Sequence, residues 1–408
     1  MTRPLCIAID ARLPAGLSGG LEQFVIGLVA ALSSLTDGDE EYLVLVSPGD
    51  DGWIRPYVSG PCHIVKTRGH ASLIGTQRRI ARAAPRLTAS WRRYRDNRFA
   101  SASVLPESDG TIERMGTDVM HFTTQRAFVS DVPSLYHPWD LQHLHFPEFF
   151  SVAALQRREF LYRAFCDRSR LVVTAAEWTR ADLIHQYGLP DNKVVAVQIP
   201  PVMAAYGQPS ETAVDNLRRK FDLPERFAFY PAQTWPHKNH LGVLRALAML
   251  RDRFDLSIPL VCSGYQNEYY ATIREEITRL SLTEHVRFVG FVAPRELRSL
   301  YRMSSAVVVA SLFEGWGFPV LEAFAEGVPV ACSSATTLPE TAGSAALLFD
   351  PTDESSIADA LRRVWTDDVL RAELVSRGTA RLHTLDWPST ARRFRGYYRQ
   401  IADPTLAV

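Results

Sequence analysis

Short apolar runs rich in β-branched residues recur along the chain, separated by longer stretches in which apolar positions return every three or four residues. Strands buried on both faces need such unbroken runs, and their alternation with helical periods is the pattern of parallel α/β sheets. In the first half, Leu5–Ile9, Tyr42–Val46, Asp118–Phe122, Leu171–Thr174 and Lys193–Val197 predict strands. The second half adds Phe227–Tyr230, Ile258–Cys262, Val286–Val289, Ala306–Ala310, Val328–Cys332 and Ala345–Phe349 at even spacing. Leu241–Arg253 and Tyr269–Leu280 carry the helical period.

One stretch belongs to neither pattern. Ile199-Pro-Pro-Val-Met-Ala-Ala-Tyr-Gly-Gln-Pro-Ser210 has three prolines and no period, so it predicts a linker. The 408 residues suit two domains of roughly 200 residues each, and the boundary falls between residues 200 and 211. Two doubly wound domains would border a deep cleft with the carboxyl ends of their strands, where open α/β sheets bind ligands.

Composition narrows the classes. Lys+Arg and Asp+Glu both total 45, which gives no reason to expect a nucleic-acid partner. The five cysteines are scattered with no C-x-x-C pair, fitting a reducing compartment and neither a disulfide framework nor a zinc site. The N-terminal apolar run is too short for a signal peptide and reads as a first strand, and no apolar run is long enough to span a membrane. A cytoplasmic protein is expected.

The strongest motif is Glu314-Gly-Trp-Gly-Phe-Pro-Val-Leu-Glu322, which follows the run Ala306–Ala310 and leads into Ala-Phe-Ala-Glu-Gly327. Pro319 suits the first position of a helix and Gly327 the position just past its end. The loop Gly315–Phe318 would then offer backbone N–H groups at a helix N-terminus, where anions bind. Glu314 would lie before that helix and Glu322 in its first turn. Two carboxylates flanking a diphosphate site could serve the hydroxyls at both ends of a sugar-nucleotide.

This segment resembles the signature of glycosyltransferase family 4, the group 1 glycosyltransferases, which are retaining enzymes of the GT-B fold. The likeness continues through Cys332-Ser-Ser-Ala-Thr-Thr-Leu-Pro-Glu-Thr-Ala-Gly343 and Phe349-Asp-Pro351. It implies two Rossmann-like domains: residues 1–200 on the acceptor side, residues 211–390 binding the nucleotide-sugar, and a final helix in 391–408 packing back on the first domain. It also implies that Glu314 lies by the donor sugar and Glu322 holds the ribose hydroxyls, with the backbone of Trp316, Gly317 and Phe318 at the sugar and diphosphate.

Three further segments fit the resemblance. Tyr230-Pro-Ala-Gln-Thr-Trp-Pro-His-Lys-Asn239 looks like the family's Lys-Asn donor motif and makes Lys238 a point charge for the diphosphate. Many relatives carry an arginine where this chain has Gln233 or His237, so a second cationic contact would have to come from His237 in its protonated form. Gly19 and Gly20 resemble the glycine loop after the first strand, where backbone can approach a phosphate closely. Tyr136-His-Pro-Trp-Asp-Leu-Gln-His-Leu-His145 resembles a subgroup segment near the donor sugar. There His143 ranks ahead of His137 as a catalytic candidate, with Asp140 orienting or structural, each equally readable as a hydrogen-bonded structural residue; His145 completes the cluster, and Trp139 stands where relatives often carry histidine.

No cofactor or metal is expected: Lys238 and helix N-termini can neutralise a diphosphate leaving group. The resemblance implies retention by attack on the face the diphosphate leaves, with Glu314 positioning the sugar, in hexosyl transfer of the mannosyl or glucosyl type. The acceptor would be a glycan or a lipid-linked glycan in cell-surface polysaccharide assembly. The alternatives are an epimerase-type GT-B enzyme, for which no acid–base set can be placed, and a non-catalytic GT-B protein, which should have lost some of Glu314, Glu322 and Lys238. A dehydrogenase is disfavoured, since no G-x-G-x-x-G follows a strand with an acid about 20 residues on.

Charge is uneven in one place. Between Arg78 and Arg98, eight arginines surround Trp91 and Tyr94 with Asp96 as the single acid. Such a stretch reads first as a solvated insertion; the alternative is that a basic segment with aromatic residues lies on an anionic membrane surface, as peripheral contact at the inner membrane face. Replacing these arginines with serine should weaken binding to anionic vesicles at low salt while leaving donor binding intact. Co-sedimentation with vesicles checks this, and wild-type protein that ignores them ends the idea.

Overall fold

The computed structural model describes residues 3–13, 19–67, 104–403 and 405, and the segment Arg78–Arg98 lies outside them. The chain divides into two compact units. One comprises Met1–Ala175, Thr179–Gln198 and Trp387–Val408; the other comprises Ile199–Asp386 with Ala176–Trp178.

Each unit is built on a wholly parallel sheet. The first contains β1 (Leu5–Asp10), β2 (Glu40–Val46), β3 (Cys62–Lys66), β4 (Val119–Phe122), β5 (Ser134–Tyr136), β6 (Leu171–Thr174) and β7 (Val194–Ala196), in the order β3-β2-β1-β4-β5-β6-β7. The second contains β8 (Ala228–Pro231), β9 (Leu260–Ser263), β10 (Val286–Gly290), β11 (Ala306–Val309), β12 (Val330–Ser333) and β13 (Leu347–Phe349), in the order β10-β9-β8-β11-β12-β13. Central strands such as β4, β6, β9, β11 and β12 are buried at every residue, the reason their sequences read as continuous apolar runs.

The order reverses between β1 and β4 in the first sheet, and between β8 and β11 in the second. In open α/β sheets these reversals mark where loops part and a ligand can enter at the carboxyl ends. Two strands escape the sequence pattern. β3, with only its first residue buried, is an edge strand whose polar residues break the apolar run, and β5 is three residues long. No helix among the described residues is long and apolar enough to cross a membrane.

The C-terminal helix Trp387–Ala402 belongs to the first unit. It buries Thr390, Ala391, Phe394, Tyr398 and Ile401, a stripe at three- and four-residue spacing. Trp387 lies against Gly27 so closely that a Cβ there would sit 1.9 Å from its ring, which requires glycine on the facing helix Gly20–Ser33. Arg395 and Arg399 pair with Asp37 and Glu40, each at 2.5 Å.

Beneath this helix lies an unusual core. His121 stacks on Phe394 at 5.4 Å and places Nδ1 2.8 Å from the Tyr398 hydroxyl. His137 stacks on Trp139 at 3.9 Å and meets Phe24 edge-on, and neither of its ring nitrogens finds a hydrogen-bond partner among the described residues. Burial pushes His121 down to about 3 and His137 well below the usual histidine range.

A folded-state pKa below the unfolded value means the unfolded chain takes up the proton first. Stability is therefore intact above about pH 6.5 and falls as pH drops below it, by about 1.4 kcal/mol per pH unit for each such histidine. His137→Phe, which keeps the stacked shape, should reduce the stability lost between pH 7 and 5 by about 2 kcal/mol. Urea unfolding of both proteins at the two pH values measures the difference.

Candidate functional site

The reversal of the second sheet sets two chemically active side chains side by side. β8 and β11 pair directly, with Ala228 opposite Ala306 and Phe229 opposite Val307. The turn Pro236–Lys238 follows β8, and Glu314 stands five residues past the end of β11. Lys238 Nζ donates to Glu314 Oε1 at 2.5 Å, and both side chains are less than one-fifth exposed.

The turn carrying Lys238 is fixed from both strands. The Tyr230 hydroxyl donates to the Lys238 carbonyl, and the Leu312 N–H donates to the His237 carbonyl at 2.7 Å. Asn239 caps the next helix, His240–Phe254, from a left-handed conformation (φ 58°), with its side chain accepting from the Gly242 N–H. Its amide also donates to the Pro351 carbonyl at 2.8 Å, so the Lys-Asn pair and the Phe-Asp-Pro segment form one piece of structure. His237 is half-buried in this turn.

Glu314 is held at both ends. The Ser311 hydroxyl donates to Oε1 at 2.6 Å, sharing that oxygen with Lys238. At the backbone, the Glu314 N–H donates to Thr336 Oγ1, and the Thr336 and Thr337 hydroxyls both lie within hydrogen-bond reach of its carbonyl. The Thr337 hydroxyl lies between that carbonyl and the Trp316 carbonyl, 3.1 Å away, and the buried Trp316 indole donates to the Ile199 carbonyl at 3.0 Å.

The helix after this loop runs Phe318–Ala325, with Pro319 in its second position. Gly327 follows at φ 68°, the left-handed residue expected past its end. Glu322, expected in the first turn, is the fifth residue, because the helix begins one residue before Pro319. It is 2% exposed and accepts a hydrogen bond from the Tyr301 hydroxyl at 2.5 Å. A Cβ on Gly317 would lie 2.9 Å from Leu338 and 3.2 Å from Thr341, so the loop packs this closely only with glycine. The helix opening at Phe318 leaves its first N–H groups outside the intrahelical ladder, which suits an anion.

The remaining candidates lie in the first unit. Gly19 adopts φ 52° and precedes the helix Gly20–Ser33. Asp140 accepts from the Gln142 N–H, and His145 sits 2.9 Å from both oxygens of Asp182. His143 is fully buried, with Nε2 3.2 Å from a Glu159 oxygen that also accepts from Tyr187. Burial lowers its pKa against the raising effect of Glu159. Trp139, at φ 71°, turns its indole N–H to the Thr123 carbonyl at 2.9 Å. His137 faces Trp139 inside the core described above.

The sequence pattern brings Lys238 and Glu314 into one site, as their motifs suggest, but is silent about Ser311, Thr336, Thr337, Tyr230 and Tyr301. Hydroxyl residues that hold other residues carry no spacing signature. The one available signal is Ser311, a polar residue at the mouth of an apolar strand three places before Glu314.

Comparison with known proteins agrees with this architecture. Residues 213–381 match the family described as "Glycosyl transferases group 1". The chain is 27% identical over 256 residues to O-antigen chain mannosyltransferase B of Escherichia coli, covering 62% of this chain and 67% of that protein. It is 29% identical over 190 residues to the serotype-specific mannosyltransferase WbdA of Escherichia coli, but spans only 23% of that protein's length. Among solved structures, Anabaena HepE in complex with UDP and glucose superposes with a TM-score of 0.68 at 19% identity, covering 97% of this chain and 100% of that one. That likeness establishes the fold, two Rossmann-like domains of the GT-B type.

A lysine ammonium and a helix N-terminus are each groups that can take a diphosphate. Lys238→Ala should weaken binding of a nucleoside diphosphate by about 1.5–3 kcal/mol, roughly 10- to 150-fold in Kd. Calorimetry measures this, and an unchanged Kd would remove Lys238 from the site.

Proposed function

We propose that this glycosyltransferase, whose residues 213–381 match the group 1 family, moves a hexosyl group, of the mannosyl or glucosyl type, from a nucleoside-diphosphate donor to a glycan or lipid-linked acceptor. Configuration at the anomeric carbon is retained. The observation that carries this reading is the Lys238–Glu314 contact across β8 and β11. Lys238 and the N-terminus of the helix Phe318–Ala325 take the diphosphate, and the charge leaving with it is met by positive groups already in place. The reaction assigns no role to a metal or cofactor.

Glu314 has the opposite task. Positive character develops on the sugar as the bond to the diphosphate lengthens, and a fixed carboxylate nearby stabilises it more in the transition state than in the ground state. Ser311 and the two threonines hold Glu314 in place, so little reorganisation is needed when that charge appears. Glu322 takes the ribose hydroxyls, while the backbone from Trp316 to Phe318 lines the sugar and diphosphate. For Gly19, Gly20, Asp140 and His143 of the first unit, the family resemblance is what supports a role with the donor.

Two relatives named as mannosyltransferases support mannosyl donors first, and assembly of a cell-surface polysaccharide as the setting. A cytoplasmic enzyme at the inner membrane face, contacting lipid through Arg78–Arg98, would meet a lipid-linked acceptor there.

The test is product formation from GDP-mannose, UDP-glucose and related donors, with anomeric configuration read by NMR. Glu314→Gln should lower kcat by about 100-fold while raising donor KM only a few-fold. Chelator should leave turnover unchanged. A variant with near-normal kcat on the true acceptor would make this a nucleotide-sugar-binding protein instead of a transferase acting through Glu314.

A further inference from the structure

The helices Pro294–Met303 and Phe318–Ala325, with the residue after the second, are joined by two buried rungs. In the first, Arg298 Nε donates to Glu326 Oε1 at 2.6 Å, with both side chains less than one-tenth exposed. In the second, one turn away, the Tyr301 hydroxyl donates to Glu322 Oε2 at 2.5 Å. Arg298 reaches Glu326 and Tyr301 reaches Glu322, so each contact limits sliding of one helix past the other.

Tyr301 itself has little freedom. It is fully buried, and its ring meets Phe229 of β8 edge-on at 5.1 Å. The Pro319 carbonyl lies 3.4 Å from the same hydroxyl, but a phenol has one proton, and the carboxylate is closer and charged. A carboxylate as buried as that of Glu322 is costly unless hydrogen-bonded, and a phenol locked on a strand-backed ring is a fixed donor for it.

We propose that Tyr301 is a positioning residue for Glu322: by holding one carboxylate oxygen it fixes the rotamer that presents the group to the ribose diol, and so sets the preference for ribonucleoside over 2′-deoxyribonucleoside diphosphates. The inference rests on the reading of Glu322 as the ribose-holding residue. A hydroxyl–carboxylate hydrogen bond needs its heavy atoms within about 2.5–2.7 Å, a tolerance that a side chain with three rotatable bonds meets only when its rotamer is held. Nothing in this role involves the departing diphosphate, so the effect belongs to binding.

The experiment compares UDP with 2′-deoxy-UDP, or GDP with 2′-deoxy-GDP if that is the diphosphate the wild type binds, by calorimetry on the full chain. Tyr301→Phe keeps the ring and removes one oxygen. It should reduce the ribo-to-deoxy preference at least five-fold, leave the affinity for the deoxy compound within about two-fold, and raise donor KM with kcat unchanged. The ratio of two affinities does not depend on how much of the variant is folded, so destabilisation cannot imitate the result. Glu322→Gln is measured alongside. If it collapses the preference while Tyr301→Phe retains it, the role of Tyr301 is overturned and the ribose assignment stands. If Glu322→Gln leaves the preference intact, the ribose assignment fails and the proposal falls with it.

Discussion

The pairing of β8 with β11 is the contact on which the candidate site depends. A parallel sheet covered on both faces has no free surface to offer a ligand, so reactive side chains must emerge from the carboxyl ends of its strands. Where strand order is sequential, the loops turn the same way and cover one another. Where it reverses, the loops after two neighbouring strands part. Lys238 and Glu314 are separated by more than seventy residues of chain and come within 2.5 Å because their strands are neighbours at that reversal. The bonds from Tyr230, Leu312 and Ser311 then convert neighbouring strands into a fixed geometry.

Much of this was legible in the order of residues. Apolar runs located nearly every strand, because a doubly covered strand has no polar face to confuse the pattern. The edge strand Cys62–Lys66 was hidden for the converse reason, as water on one side permits His63 and Lys66 to interrupt it. Glu314, Lys238 and Glu322 stand out as candidates because their motifs combine glycine, proline and aromatic residues at fixed spacing. The start of the helix after Gly317 was misplaced by one residue, which moved Glu322 out of the first turn. Helix ends are decided by which carbonyl accepts the first bond, here that of Gly317, and proline constrains that choice without fixing it.

The residues that support the site were invisible for a different reason. Thr336 and Thr337 hold Glu314 from the loop after β12, yet a pair of threonines in a loop is common in any sequence. Their importance lies in which carbonyls their hydroxyls reach, and that is a product of the tertiary fold. Histidines show the same limit: the sequence groups His137, His143 and His145, and only the fold shows that His137 packs as an aromatic ring while His143 and His145 each face a carboxylate in the first unit.

Arg298 also reaches beyond its rung. Besides Glu326, its guanidinium donates to the carbonyls of Met203 and Gly207, and Arg295 reaches the carbonyl of Tyr206. The proline-rich stretch that looked like a passive tether is therefore strapped to the second unit by a buried cation. Anyone excising that unit for separate study should not begin the fragment at residue 213, where family similarity starts. Such a cut would strip two acceptors from a largely buried guanidinium, and the fragment would carry the defect in the helix that also bears Tyr301. Starting before Ile199 keeps the strap, and with it the carbonyl that anchors Trp316.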